Sequence, residues 1–388
     1  MASTRTVGLV RDKGSLERVL AYALAISPPL AFILALWLAV RRRGRLRGIL
    51  GDRWTLAVIG LLAVLGTLSA LRAPVRAFAV AGLASMACLF GFWMVGRFLV
   101  ESPRRFVADL EKAIALLAVG ALLVAWARLS YTLEVGSVSL RVLGPENKGT
   151  VMGLGGNGLG PLLVFGGIVA LGNAFQRQRP SERLAWLLMA AAMLVAPLAL
   201  GVRNALWGTL AGTLILLPVA GLVPLAIVVG VTAIAFLAEP ALLQRFMRLV
   251  DLTSERARWE VWQSAIAMIR DHPWLGVGPN HFGTVHPAYA GPHSGHLRDP
   301  HNVYLRVAAE WGVPAALALF SWLLSWPIRL WAARSDHWRW PLAAGFVAFL
   351  AMSMFDTPIF TFHISAPVMV GLGLAAARAQ DNVTNHES

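Results

Sequence analysis

An all-α, polytopic transmembrane bundle is the fold class that this sequence predicts, with about 11–12 spans and one large polar loop that itself contains helices. Three observations carry that expectation. The 388 residues are 57% hydrophobic and only 14% charged, which is too apolar for a water-soluble domain. Many apolar runs approach or exceed about 18 residues, the length that reads as a membrane-spanning helix. Arginines gather in alternate short loops between those runs, the bias that marks the cytoplasmic side of membrane proteins.

Candidate spans fall at 19–40, 54–71, 74–99, 112–129, 151–173, 184–200, 204–218, 220–238, 311–332, 340–355 and 358–378. The start, "MASTRTVGLVRDKGSLERVL", is basic. No small-residue cleavage pattern follows the first apolar run; "WLAVRRRGRLR" does. That run therefore reads as a retained first span rather than a secretory signal. The basic loops are the alternate ones. One holds Arg41, Arg42, Arg43, Arg45, Arg47 and Arg53. The next hold Arg97, Arg104, Arg105 and Lys112, then Arg177, Arg179 and Arg183, then Arg329, Arg334 and Arg339. All four fall on one side, which the charge rule assigns to the cytoplasm. The same count puts the N-terminus outside, against the basic residues Arg5, Arg11, Lys13 and Arg18. A missed helix or a re-entrant segment near the start would remove that conflict.

Three regions follow: N-terminal transmembrane helices over 1–238, a large outer loop over 239–310, and C-terminal transmembrane helices with a short tail over 311–388. The net charge of +14 is mostly the orientation bias. The arginines on the outer side run against that bias and need another reason, of which an anionic substrate is one. Cys88 is the only cysteine, so no intrachain disulfide forms.

The outer loop opens with a helical pattern from Ser254 to Ile269. Arg258, Trp262, Ala265, Ile266 and Ile269 share its face, and His272-Pro273 ends it. A helix lying on the outer bilayer surface is expected, with its tryptophans at the boundary. Its arginines then meet either lipid headgroups or a substrate. A glycine- and proline-rich stretch follows. "GVGPNHFG" lacks the GxGxxG pattern and follows no strand, so a nucleotide loop is not indicated. His272, His281, His286, His293, His296 and His301 crowd this region. Their spacings match no compact metal-ligand motif and no cysteine helps, so no metal is expected.

His301 differs in context. Asp299 suits an N-cap and Pro300 the first helical position, which makes His301 the second helical residue. The helix terminus would favour a neutral ring, as a general base needs, and would attract an anion. Local packing is the plainer reading. Arg203 lies between two apolar runs at the outer side, where a role in anion binding explains it. Asn157 sits in the glycine-rich run "GLGGNGLGPLL", which fits either close helix packing or a binding site.

Taken together and in order, these segments resemble the O-antigen ligase family, within a superfamily that includes O-antigen polymerases and some protein O-glycosyltransferases. "HNVYL" at 301–305, continuing to Glu310 and Gly312, is similar to the family's His-Asn-x-x-Leu and later Glu-x-Gly. "RWEVW" at 258–262 resembles Arg-x-x-x-Trp. "DHPWLGVGPNHF" resembles Pro-x-x-Gly-x-Gly. "GVRNAL" resembles a Ser-Arg-Gly segment, with Val202 and Asn204 in place of the usual neighbours. The resemblance implies a multi-pass enzyme of the bacterial inner membrane with a periplasmic loop. It implies inverting transfer of a glycan from undecaprenyl diphosphate to a sugar of lipid A–core, without metal, nucleotide or other cofactor. It makes His301 the general base, and Arg203 and Arg258 the catalytic residues that bind the diphosphate. Asn302, Asn157 and Arg256 are further substrate contacts. A polymerase, whose acceptor is a second lipid-linked glycan, is the near alternative; a transporter of an anionic lipid or solute is the distant one.

Overall fold

The computed structural model describes residues 15–130, 150–151, 154–238, 252–332 and 337–377. Arg5, Arg11, Lys13 and Arg334 lie outside the described residues. The fold is an all-α polytopic bundle. Five helices are long and apolar enough to cross a membrane: Arg53–Arg72, Arg76–Leu99, Gly158–Phe175, Pro180–Ala199 and Val313–Leu330. Shorter apolar helices, among them Ala205–Ala220, Val223–Ala238, Trp340–Met352 and Phe362–Ala376, complete the bundle. A two-residue antiparallel pairing, Thr150–Val151 with Leu154–Gly155, precedes the helix Gly156–Phe175.

Most expected spans have a helix at the expected place. The crowded pair at 204–238 resolves into two helices because Gly221 adopts φ +63 between them, a left-handed turn that glycine permits. The glycine-rich helix at 156–175 sits at the centre. Gly166 and Gly167 face Met193, Leu194 and Ile114 so closely that a Cβ would collide. Small residues here let the helix axes approach, the usual basis of packing in lipid.

The first span is a correction. Residues 19–40 do not form one crossing helix. Ser15–Ile26 and Pro28–Arg41 are separate helices. Pro28 disfavours helical geometry in the preceding residue, and Ser27 is accordingly out of the helical region at φ −140, ψ 87. The two helices fold back as a hairpin. Glu17, near the start of the first, lies 2.6 Å from Arg42, just past the end of the second. A straight helix would separate those positions by roughly 37 Å. The hairpin therefore enters and leaves at one end of the bundle. Ser15, Glu17 and Arg18, at the start of the described residues, share that end with the arginine-rich loops.

This basic end is tied by buried ion pairs. Glu17 also accepts hydrogen bonds from the backbone N–H groups of Glu101 and Ser102, at the start of the helix Pro103–Ser130. Arg97 pairs with Asp52 at 3.3 Å and donates to the Ala376 carbonyl. Ala376 ends the last helix, so that helix also finishes at the basic end.

The helices Trp340–Met352 and Phe362–Ala376 are only about 20 Å long. A hydrocarbon core is about 30 Å thick. Trp340 starts beside the Ile215 carbonyl, near the basic end of its own neighbour. The connection between the two short helices, residues 353–361, lies level with the start of the helix Ala205–Ala220, where Met352 meets Gly208 and Phe355 stacks on Trp207.

Candidate active site

This connection is where the segment 252–311 docks, through Val303 on the Ser353 carbonyl and Thr357 on Asp299. The helix that follows the histidine-rich stretch runs Val303–Trp311. It starts later than the sequence predicts. Asn302, not Asp299, is its N-cap, with Oδ1 accepting from the Leu305 N–H at 3.1 Å. Both residue types cap well; the difference is that Asp299 is engaged elsewhere. Its Oδ1 accepts the His301 N–H at 2.7 Å. Its Oδ2 accepts from the Arg306 guanidinium and from the Thr357 hydroxyl.

His301 is consequently outside the helix, in the left-handed region at φ +49. Such a φ is uncommon for a residue with a Cβ, although histidine is among the types enriched there. The expectation of a ring kept neutral by a helix terminus is overturned. The Nδ1 atom of His301 lies 3.6 Å from Asp356 Oδ1. The Asp356 carboxylate raises the imidazole pKa; burial works against this; Asp299 adds to the rise, and the nearby Arg258 charge opposes it. A carboxylate behind a histidine orients the ring and strengthens it as a base. At 3.6 Å the contact is slightly longer than a formed hydrogen bond, a common state of catalytic groups before substrate arrives. Sequence reasoning missed Asp356. The signal was a carboxylate stranded in "SMFDTPIF" between two apolar runs, where charge is costly unless it is used.

Arg258 lies on the helix Leu252–Asp271, and its charge opposes protonation of His301. The face that this helix buries against protein is shifted from the expected one. Val261, Ala265 and Met268 pack onto Phe282 and Ala309 in a small separate core, joined by Trp262 and Ile269, while Ile266 is exposed. The helix is covered by the glycine-rich stretch, and the arginine stripe is turned by that packing. Trp262 Nε1 donates to the Pro300 carbonyl at 2.8 Å, fixing the helix to the residue before His301. Arg256 is exposed on the same helix.

Arg203 sits in the turn before the helix Ala205–Ala220. One turn on, Trp207 stacks on Phe355 with centroids 6.3 Å apart, and Phe355 meets Trp262 at 6.4 Å. The turn of Arg203, the loop of Asp356 and the helix of Arg258 thus converge through three aromatic rings. Asn157 is in the first turn of its helix; its side chain lies outside the described residues. Gly160, one turn later, abuts Val202, so that helix start belongs to the same end.

The glycine-rich motif and the Glu-x-Gly motif prove to be one structure. Buried Glu310 accepts the N–H groups of Asn280 and Phe282, at 2.9 and 3.1 Å. Gly276, at φ +65, lies against the Glu310 backbone, and Gly312, at φ +85, against the Trp274 carbonyl. A side chain at either would strike backbone. Burial raises the Glu310 pKa, opposed by Arg306 and the two N–H donors.

The other histidines disperse. His281 donates from Nδ1 to the Pro279 carbonyl at 2.7 Å and accepts the Val75 N–H at Nε2. His286 is buried and stacked on Phe282, and burial lowers its pKa. His293 pairs with Glu260 at 2.6 Å. Among the described residues, no three His, Cys, Asp or Glu side chains converge as a metal-ligand set.

A family model described as O-antigen ligase matches residues 19–320, which include the hairpin, Arg203, Arg258 and His301. No curated protein matches the chain.

Proposed function

The chain belongs to the O-antigen ligase family, and from that premise we propose that it transfers a glycan from undecaprenyl diphosphate to a sugar of lipid A–core. It is a multi-pass membrane protein with glycosyltransferase-like, ligase- or polymerase-type function. The bacterial inner membrane is its proposed location, with the site end facing the periplasm.

The observation that carries the reading is the His301–Asp356 pair, with the helix of Arg258 tied to Pro300 next to it. His301 takes the proton from the acceptor hydroxyl. The acceptor oxygen forms its bond to the anomeric carbon from the face opposite the diphosphate, so the configuration inverts. The bond from that carbon to the diphosphate oxygen breaks, and the lipid diphosphate leaves with the electron pair. Arg258 and Arg203 bind it and stabilise the charge that develops. Arginine suits this through its permanent charge and planar donors. Arg256 and Asn157 extend the donor contacts. Asn302 contributes chiefly by capping the helix that follows His301. The Asp356 loop lies beside the turn of Arg203, which suits a donor whose diphosphate sits at the membrane boundary and whose polyprenyl chain lies in lipid.

The decisive experiment incubates purified protein with lipid-linked glycan and lipid A–core in the presence of a chelator. Ligated lipopolysaccharide is the expected product. Lengthened lipid-linked glycan in the absence of lipid A–core would assign the polymerase reaction instead. Movement of lipid without a new glycosidic bond would assign a transporter.

A further inference from the structure

Asp299 bonds His301 and the residue next to Asp356 without belonging to the histidine–carboxylate pair. Its Oδ1 holds the backbone N–H of His301 at 2.7 Å, the bond that closes the turn in which His301 is left-handed. Its Oδ2 accepts the hydroxyl of Thr357 at 3.0 Å, and Thr357 is the residue after Asp356. The Thr357 N–H in turn donates to Asp356 Oδ1 at 2.8 Å. A single carboxylate therefore sets the position of the base from one side and of its orienting acid from the other. Those two residues come from different elements, separated by a transmembrane pair of helices.

Asp299 is itself held. Arg306 donates to its Oδ2, to Glu310 Oε1 at 3.3 Å and to Asn280 Oδ1 at 3.2 Å. The guanidinium lies over the Phe360 ring, 4.5 Å from its centroid. Phe360 belongs to the same connection as Asp356. Arg306 is one helical turn beyond Asn302 and shares its helix with Glu310. Its planar fork reaches three acceptors and one ring, a geometry that lysine does not supply.

We propose that Asp299 and Arg306 are positioning residues for the transfer reaction: they hold His301 and Asp356 in register across the junction between the outer segment and the membrane bundle. This rests on the reading of His301 as the base. A strained backbone at the reacting group persists only where its surroundings over-determine it, and the clamp supplies that determination. A shift of about 1 Å in a reacting group can cost about 10²-fold in rate, so loosening the clamp should act on turnover and not on donor binding. The charged groups facing His301 are Asp356, Asp299 and Arg258. Removing the Asp299 charge takes away one contribution that favours the protonated ring, so the ring should lose its proton at lower pH.

The test uses full-length protein with Asp299→Asn, Arg306→Ala, Arg306→Lys and Thr357→Val. Two quantities are read. One is kcat and donor KM in glycan transfer. The other is the pH dependence with which diethyl pyrocarbonate, which acylates only the unprotonated ring, modifies His301, measured by mass spectrometry of the His301 peptide. Asp299→Asn and Arg306→Ala should lower kcat by about 10²-fold with KM little changed. Arg306→Lys should recover part of the loss. Thr357→Val removes only the tie to the Asp356 loop and should give a smaller fall. The midpoint of His301 modification should move to lower pH in Asp299→Asn. Wild-type kcat in Asp299→Asn and Arg306→Ala would overturn the proposal. So would lost activity with an unmoved midpoint, because that is the mark of a merely structural role. The modification needs no substrate. If the unaltered protein transfers no glycan, the function reading falls, while the midpoint still decides whether Asp299 tunes and places His301.

Discussion

The two ends of the bundle use the same residue types to opposite ends. At the basic end, arginines and carboxylates close helix termini. Glu17 meets Arg42 and two N–H groups at a helix start. Asp52 caps its own helix at the Thr55 N–H and pairs with Arg97. Arg97 is further enclosed by the rings of Trp93 and Trp326. Glu17, Arg42, Asp52 and Arg97 each answer a helix terminus or another charge. At the site end, two carboxylates are drawn up around one histidine. Asp299 takes its backbone, Asp356 faces its ring, and Arg258 stands close enough to oppose its protonation. The lesson is that arginine count reads topology, whereas chemistry shows in which polar groups are turned toward a side chain that can gain and lose a proton.

The largest effect that separates the ends is expected at His301. His301→Gln should lower turnover by roughly 10²–10⁴, the range for loss of a general base, with donor binding retained. His286→Gln and His293→Gln should do far less, because the first is stacked within the small core and the second pairs with Glu260 at the surface. Full activity in His301→Gln, measured as product per folded molecule, would break the contrast between the ends.

Asp356→Asn comes next. Turnover should fall by about 10²-fold, at the low end of that range, and the acid limb of the kcat profile should move. The direction follows from the sign of the shift. A raised pKa means that His301 sheds its proton only as pH climbs through that raised value. Removing the first cause of the rise lets the proton leave at lower pH, so the acid limb moves down. An unmoved limb would separate Asp356 from the base.

Arg258→Ala should act on donor use, with Arg258→Lys restoring part because it keeps charge without the planar donors. Transfer at the normal rate over a range of donor concentrations would remove Arg258 from the diphosphate site.

Much of this was legible beforehand, and the failures have physical causes. Hydropathy found most of the spans because length and apolar content decide them. It could not see the hairpin, since two half-length apolar helices joined at Ser27-Pro28 have the same hydropathy as one crossing helix. The basic N-terminus did register the error. The sequence singled out His301, Arg258 and Arg203, and the structure brings their segments to one end. The local geometry at His301 was misread because Asp299 and Asn302 are both capping types. Long-range bonds to Arg306 and Thr357 decided between them, and no window of sequence contains those bonds. Asp356 escaped because its partner is 55 positions away in sequence, from 301 to 356.

The smallest effect on chemistry is expected at the basic end, and it sharpens the comparison by its absence. Glu17→Gln keeps the shape of the side chain but removes the charge that meets Arg42 and the start of the helix Pro103–Ser130. Hydrogen bonds to charged groups contribute about 1.5–3 kcal/mol, and Arg42 retains its contacts to Glu101 and the Leu99 carbonyl, so a loss of about 1–2 kcal/mol is expected. Melting in detergent should occur at lower temperature, while kcat per folded molecule and its pH profile stay unchanged. The hairpin adds a second readout. In a Cys88→Ser background, cysteines at Ser15, Arg43 and Arg179 should react with an impermeant thiol reagent from one side only, and a cysteine at Gly291 from the other. Reaction of Ser15→Cys from the side of Gly291 would restore a single crossing helix at the start. A changed pH profile in Glu17→Gln would show instead that the basic end reaches the site through the bundle, and the division of labour between the two ends would fail.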